Sequence, residues 1–351
     1  MKILHVITLS GVGGASAVVA QLSNALVELG HEIMVVAGEG DGKLFNLMDK
    51  RIKTRRIPSL VRRISPLNEL KTLVALRDVY RQFKPDIIHL HSSKAGILGR
   101  VAFPASKIIY TVHGFDSIRL VYRKFLPLEK CLQKKCSAIV GVSRYDVRNL
   151  NAEGIKENVS YVYNGITRPE PLAEDPFKAW RGYRRIVLCI ARLAAPKRHD
   201  LFIEVARRMP DCAFLWIGNH EEPDLEYPDN VFFIGSILSA GSYSRYADAF
   251  LLPTDYEGLP IVIIEAMANG TPVVASAVGG VPELLDGNTG FAVENNPDAM
   301  AERLRRIFND EECRKKMSES ARQTYEKTFT DGKMTDGYLR IYTKIHEKNK
   351  R

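Results

Sequence analysis

Two acids, two cations and one glycine-rich turn have the types and spacings that could do chemistry. Glu257 stands in Thr254-Asp255-Tyr256-Glu257-Gly258-Leu259-Pro260, and Glu265 follows inside the run Ile261-Val262-Ile263-Ile264-Glu265-Ala266-Met267-Ala268. An acid among such neighbours is costly to bury unless it meets hydrogen-bond donors. The alternative is a half-exposed helix with Glu265 in solvent. Pro260 is expected as the first helical residue and Gly270 as the stop. The helix N-terminus would then follow directly after Glu257-Gly258. Pro260 lacks an N–H, so Leu259, Ile261 and their neighbours would be the donors toward an anion. Glu265 lies ~7.5 Å further along the axis, a spacing that suits a ribose beside a diphosphate at the helix start. Glu257, in the loop, could accept hydrogen bonds from sugar hydroxyls.

The cations are Arg192 and Lys197, in Cys189-Ile190-Ala191-Arg192-Leu193-Ala194-Ala195-Pro196-Lys197. Placed where a strand gives way to a helix, they could clamp a diphosphate, Arg by its planar fork and Lys as a point charge. Alone they would read as two solvated charges; beside the helix start at 260 they converge with its dipole. The glycine-rich turn is Leu9-Ser10-Gly11-Val12-Gly13-Gly14-Ala15-Ser16. Gly13 and Gly14 would let the backbone approach a phosphate or sugar at a helix N-terminus, with a tight structural turn as the alternative. The pattern is not GxGxxG, and the next strand does not end in an acid placed for a dinucleotide ribose.

The elements that must position these residues follow a βαβ rhythm. Strand-like runs fall at 2–8, 32–37, 53–57, 86–91, 108–112 and 138–142, with helical stretches near 15–29, 67–83, 94–103, 122–135 and 144–152. After a Pro- and charge-rich stretch the rhythm restarts. Strands are expected at 185–191, 213–217, 231–234, 249–252 and 272–275, and helices near 198–209, 243–247, 260–269 and 297–309, with a charged helical tail from 311. The fold class is α/β, two Rossmann-like doubly wound domains facing a central cleft. Their expected bounds are 1–167 and 184–330, with a linker at 168–183 and a terminal segment at 331–351.

The bulk numbers fit this reading. A chain of 351 residues suits two domains. No apolar run is long enough to span a membrane, and Met1-Lys2-Ile3-Leu4-His5-Val6-Ile7 reads straight into a strand with no cleavage site. The five cysteines are odd in number and form no CxxC pair, which points to a reducing, cytoplasmic compartment and away from a zinc site. The net charge of +9 is uneven: residues 1–168 carry +13 and the rest −4. The first half should therefore face something anionic, nucleic acid or an acidic membrane surface.

The chain resembles the retaining glycosyltransferases of family 4, enzymes of GT-B fold. Glu257 and Glu265 have their E-x7-E spacing. The likeness also takes in Gly13-Gly14, His89-Leu90-His91, Thr111-Val112-His113-Gly114, Val142-Ser143, Asn164-Gly165, Arg192 with Lys197, and Gly279-Gly280-Val281-Pro282-Glu283. The resemblance implies that Arg192 and Lys197 bind the donor diphosphate, Glu265 the ribose, and Glu257 the transferred sugar. Ser236 and Ile237 would hold the base, Gly13 and Gly14 would offer N–H groups to the phosphates, and His113 would lie beside the donor sugar. Gly258, Leu259 and Ile261 complete the donor-binding set. The catalytic set is Arg192, Lys197, Glu257 and His113, the last as a positioning residue rather than a general base. The segment from 331 would cross back onto the first domain.

No DxD acid pair stands at a strand end, so no metal and no cofactor are expected beyond the UDP-sugar substrate. Within the family, 91–100 and 110–116 look like bacterial enzymes that build O-antigen, capsule or lipid-linked oligosaccharides. That implies UDP-N-acetylhexosamine donors, GalNAc among them, and sugar acceptors on undecaprenyl diphosphate. It also implies peripheral placement on the inner face of the cytoplasmic membrane. The charge map agrees. Lys50, Arg51, Lys53, Arg55, Arg56, Arg62 and Arg63 form one basic cluster, with Leu60, Val61 and Ile64 interleaved. Arg119, Arg123, Lys124, Lys130, Lys134 and Lys135 form another, with Leu120, Val121, Phe125, Leu126 and Leu128. A transferase with a soluble sugar acceptor is the nearest rival. An NAD-dependent oxidoreductase would need the missing GxGxxG. A basic nucleic-acid-binding protein would need RRM, KH or zinc-knuckle features that the sequence lacks, so no nucleic-acid partner is expected.

Overall fold

The computed structural model describes residues 1–221, 223, 224 and 226–350. It divides into two compact units, residues 1–166 with the C-terminal helix, and residues 167–330.

The first unit alternates strand and helix: β1 (Lys2–Leu9), α1 (Gly14–Glu28), β2 (Glu32–Glu39), β3 (Lys53–Arg56), α2 (Pro66–Phe83), β4 (Ile87–His91), α3 (Ser93–Ala102), β5 (Ile108–Val112), α4 (Leu126–Leu132), β6 (Ala138–Gly141), α5 (Arg144–Ala152) and β7 (Val159–Tyr161). The sheet runs β3-β2-β1-β4-β5-β6-β7, and every neighbouring pair is parallel. Strands β4, β5 and β6 are buried at every residue, as a parallel sheet covered on both faces requires. The order reverses between β1 and β4, so the ends of those strands open the crevice where such sheets take ligands.

The helix expected near 122–135 is broken. A π-turn at Ser117–Val121 and a 3-10 turn at Arg123–Phe125 precede α4, and a second 3-10 turn at Gln133–Lys135 follows it. Pro127 sits in the first turn of α4, where its ring is tolerated and where a helix arriving from upstream would be interrupted.

The second unit holds β8 (Arg185–Ile190), α6 (His199–Arg207), β9 (Cys212–Ile217), β10 (Val231–Gly235), a 3-10 turn at Ala240–Tyr246 where a helix at 243–247 was expected, β11 (Ala249–Leu252), α7 (Ile261–Asn269), β12 (Val273–Ser276), α8 (Val281–Leu284), β13 (Phe291–Val293), α9 (Pro297–Asn309) and α10 (Glu311–Thr328). Its sheet, β10-β9-β8-β11-β12-β13, is parallel throughout and reverses between β8 and β11.

Residues 168–183 are not a free linker. Phe177 is fully buried, with its ring 6.3 Å from Trp180 and 5.9 Å from Tyr243, and Trp180 lies 5.6 Å from Phe232. The Tyr246 hydroxyl donates to the Leu172 carbonyl at 2.7 Å. Burial of these rings holds the segment to the second unit despite its prolines and charges.

The last helix, α11 (Asp331–Lys350), clusters with the first unit. Tyr338 and Tyr342 are buried. The Tyr342 hydroxyl meets His89 Nδ1 at 2.6 Å, and Asn349 Nδ2 donates to the Ser106 carbonyl at 2.8 Å.

Candidate active site

In the second unit, Lys197 and Glu257 meet at the strand reversal, while Ser236 and Ile237 lie past the edge strand β10. Beyond β8 the chain passes through exposed Arg192 and turns so that Lys197 bridges Thr254, just past β11. The Lys197 ammonium donates to the Glu257 carboxylate, with both side chains about seven-eighths shielded from solvent. Arg192 makes no such bond among the described residues and leaves its guanidinium to solvent.

The loop carrying Glu257 is clamped from β12. Gly279 takes the left-handed conformation at φ +58°, and a Cβ there would fall 1.9 Å from the Glu257 carbonyl oxygen. The Gly280 N–H donates to the Gly258 carbonyl at 2.8 Å. The Gly-Gly pair is therefore what lets the acid-bearing loop lie down against the start of α8.

Pro260 is not the first helical residue. Its backbone is extended (ψ 119°), and its carbonyl accepts from Ile263 and Ile264 at 3.2 and 3.4 Å, so it caps α7 from outside. The helix starts one residue late because the cap needs extended geometry and a free carbonyl, and both suit proline. Gly270 ends the helix in left-handed conformation as expected. Leu259 and Ile261 are buried, so their side chains belong to the core and only their backbone could meet a ligand.

Glu265 is half-buried. Its carboxylate lies flat on Gly241: a Cβ there would come within 2.5–2.8 Å of the carboxylate atoms. Among the described residues no group donates a hydrogen bond to it. Burial raises its pKa from 4.5 to about 7. Gly241 has no signature in the sequence, because the contact joins a 3-10 turn to a helix through folding alone. Ser236 and Ile237 follow β10, the first exposed and the second half-buried.

In the first unit, Gly13 caps α1 and Gly14 opens it. Both are exposed, and a Cβ at Gly14 would meet nothing within 4 Å. His113 follows β5, is half-buried, and heads a line whose other imidazoles are buried. His113 Nε2 meets His91 Nδ1 at 3.0 Å, and His91 Nε2 meets His5 Nδ1 at 3.0 Å. Strand register builds this line: β1, β4 and β5 are neighbours, with His5 opposite His89 and His91 opposite Thr111. His89 binds Tyr342 and, through Nε2, the Thr111 hydroxyl at 2.6 Å. Burial holds His5 near pKa 3 and His113 near 4, and it lowers His89 and His91 well below the usual range. His5, His89 and His91 have ligand atoms within 4.8 Å of one another. Both nitrogens of His89 and of His91 are already engaged, however. The cysteine spacing gave no hint of this cluster.

The loop after His113 is pinned by Asp146, which accepts from the Phe115 N–H at 2.8 Å and from the Ser143 hydroxyl at 3.0 Å. Burial raises the Asp146 carboxyl to about 7 against those two donors.

The interleaved apolar residues divide. Leu60 and Leu126 are buried in the core, while Ile64, Leu120, Val121 and Leu128 are exposed. Helix α2 adds a stripe the sequence reading missed: Leu67, Leu70 and Val74, each more than half exposed and spaced to share one helix face. In the basic clusters, Arg51 pairs with Asp49 and Glu28, Lys53 with Glu32, Arg119 with Asp116, and Arg123 and Lys130 with Glu153. Lys124, Lys134 and Lys135 make no ion pair among the described residues. No described helix is long and apolar enough to cross a membrane.

Residues 12–168 match the Glycosyltransferase Family 4 family, and residues 173–324 match the Glycosyl transferases group 1 family. The chain belongs to the GT-B glycosyltransferases. This glycosyltransferase is 26% identical to the UDP-Gal:alpha-D-GlcNAc-diphosphoundecaprenol alpha-1,3-galactosyltransferase of Escherichia coli, over 97% of this chain and 96% of that one. It is 28% identical to the O-antigen biosynthesis glycosyltransferase WbnH of the same organism, over 88% and 90%. Its fold matches HepE of Anabaena, solved in complex with UDP and glucose, at a TM-score of 0.82 and 17% identity, over 98% of this chain and all of that one.

Proposed function

We propose that this glycosyltransferase moves a sugar from a UDP-sugar onto a sugar carried by undecaprenyl diphosphate, with retention of anomeric configuration, in the assembly of a bacterial surface polysaccharide such as O-antigen or capsule. The observation that carries the nucleotide part is Glu265. A carboxylate shielded by a helix and a glycine, with no donor among the described residues, fits a partner that brings hydroxyls, as a ribose does. Arg192, Lys197 and the first turn of α7 supply positive charge for the diphosphate. Ser236 and Ile237 take the base, while Glu257 takes the transferred sugar. The resemblance assigns Gly13, Gly14 and His113 to the same donor.

The chemistry asked of these residues is charge stabilisation. The acceptor hydroxyl attacks on the face from which UDP leaves, and the departing phosphate oxygen takes its proton. Negative charge then grows on the diphosphate, where Arg192, Lys197 and the α7 dipole stabilise it. No metal is assigned to this step, because two cations and a helix N-terminus are available to carry the charge.

The name of one bacterial relative, the diphosphoundecaprenol galactosyltransferase, supports the carrier lipid, and so does the surface of the first unit. Exposed Leu67, Leu70 and Val74, with Ile64, Leu120, Val121 and the unpaired lysines, suit an anionic bilayer face and a peripheral, cytoplasmic-side placement. We favour an N-acetylhexosamine donor, GalNAc first. Radiolabelled UDP-GalNAc, UDP-GlcNAc and UDP-Gal offered with undecaprenyl-diphosphate-linked sugars test the reading. Transfer from UDP-GalNAc to a lipid-linked acceptor, giving the donor's own anomeric configuration, is expected. Transfer only to soluble sugars would overturn the acceptor, and an inverted product would overturn the mechanism.

A further inference from the structure

The line of imidazoles His5–His91–His113 has a direction, and the structure sets it. Each neutral imidazole carries one N–H and one lone pair. Each of the two nitrogen–nitrogen contacts, both 3.0 Å, needs one proton between its partners. Only two arrangements satisfy both contacts. In the first, His5 donates from Nδ1 to His91, His91 donates from Nδ1 to His113, and His113 keeps its own proton on Nδ1. In the second, every bond reverses: His113 donates from Nε2, His91 donates from Nε2, and His5 is left with a proton on Nε2.

The far end of the line decides between them. His5 is fully buried, and its Nε2 has no hydrogen-bond partner among the described residues. In the first arrangement that atom is an unpaired acceptor. In the second it is an unpaired buried N–H, the rarer and costlier defect. Neutral rings are what this burial demands, and among the described residues no carboxylate touches any of the three to favour a charged form. His89 lies beside the line, its ring centroid 3.9 Å from that of His91. Its partners are the hydroxyls of Tyr342 and Thr111, which can donate or accept, so it leaves the direction unchanged.

We propose that His5 and His91 are positioning residues that hold His113 in its Nδ1–H tautomer, so that His113 presents a hydrogen-bond donor and not a base. The nitrogen left over on His113 is Nδ1, which bonds to nothing among the described residues. It would donate to an oxygen of the sugar donor, a role that rests on the reading given under Proposed function. A fixed donor needs no reorientation when substrate arrives, which is what preorganisation of a polar contact means. His113 then cannot accept the proton of the acceptor hydroxyl, in keeping with its transfer to the leaving phosphate.

Nitrogen-15 NMR of the full-length protein labelled on histidine, free of ligand at pH 7, reads the tautomer directly. His113 and His91 should each show a protonated Nδ1 and a bare Nε2, and His5 should show a bare Nε2. A proton on His113 Nε2 would overturn the proposal. In His91→Phe, His113 should be released into a mixture of both tautomers, and turnover should fall about tenfold with little change in the donor KM. A His113 that stays wholly Nδ1–H in that variant would show that the line does not hold it. Because the tautomer is read without substrate, a protein that shows the expected pattern and transfers no sugar would refute the functional reading and leave the tautomer assignment standing.

Discussion

The ammonium of Lys197 donates to the carboxylate of Glu257 across the point where the second sheet reverses its strand order. The two groups proposed for diphosphate and sugar thus hold each other before any ligand is present. An incoming diphosphate must compete for Lys197 with an acid that is already there, and Glu257 is released toward the sugar as that exchange occurs. Lys197→Ala should therefore cost turnover more than donor affinity, with kcat down by roughly 10²–10³. Arg192→Ala, which breaks no pair among the described residues, should weaken donor binding as well. Steady-state transfer rates at varied UDP-sugar separate the two. A kcat within threefold of the parent for Lys197→Ala would remove it from the clamp.

Glu265 gives the second unit a pH dependence with a definite sign. Its folded pKa is raised to about 7 from 4.5 by burial. The folded state keeps this proton through a range in which the unfolded chain has lost it. Stability therefore falls as pH rises from about 4.5 to 7, then levels. Glu265→Gln should remove this slope, exceeding the parent by about 3 kcal/mol at pH 8 and matching it near pH 4.5. Binding should move the other way: parent affinity for UDP should rise through pH 7 relative to the Gln variant, because the ionised acid is the stronger acceptor. Denaturant midpoints and calorimetry at pH 5 and 8 measure both. Parallel curves for the two proteins would contradict the buried acid.

Gly241→Ala tests the same carboxylate from outside. The new methyl would come within 2.5–2.8 Å of the Glu265 carboxylate, whose flexible end must swing away. The fold should survive with little change in Tm, while UDP affinity should drop about tenfold, a loss of roughly 1.4 kcal/mol. Unchanged affinity would mean that the position of Glu265 is irrelevant to the nucleotide.

The first unit holds a buried ion pair whose removal should be costly. Arg100 and Glu129 meet at 2.5 Å with side chains 0% and 4% exposed, and the guanidinium lies 4.4 Å from the Tyr110 ring centre. Glu129→Ala strands a charge beneath α3 and should cost about 3–5 kcal/mol. The double variant Arg100→Met with Glu129→Leu should recover most of that loss. Chemical unfolding of the three variants gives the comparison, and a double variant no better than Glu129→Ala would show that the pair itself is favourable.

Much of this architecture was legible because β-branched runs such as Ile186–Val187 and Val273–Val274 must be covered on both faces. Strands β7 and β13 escaped notice because three residues carry no periodicity. The segment 168–183 was misjudged because prolines and charges outnumber Phe177 and Trp180, the two rings that fix it. In the candidate site, Glu265 stood out as an acid in an apolar helix, and Lys197 stood out only beside it. Gly241 and His5 did not. The first matters through lacking a side chain, and the second through a register that joins residues far apart in sequence.

Helix α11 follows the second unit in sequence and belongs to the first. The first unit is therefore discontinuous, and the chain must build all of the second before it can finish the first. During synthesis, residues 167–330 can fold as soon as they emerge. His89 and Thr111, meanwhile, wait for the hydroxyls of Tyr342 and Tyr338. A fragment ending at residue 166 would leave those polar groups and the sheet face around them uncovered. A nascent chain stalled before α11 would be a client for chaperones, and a small C-terminal truncation would injure the half of the molecule that was made first.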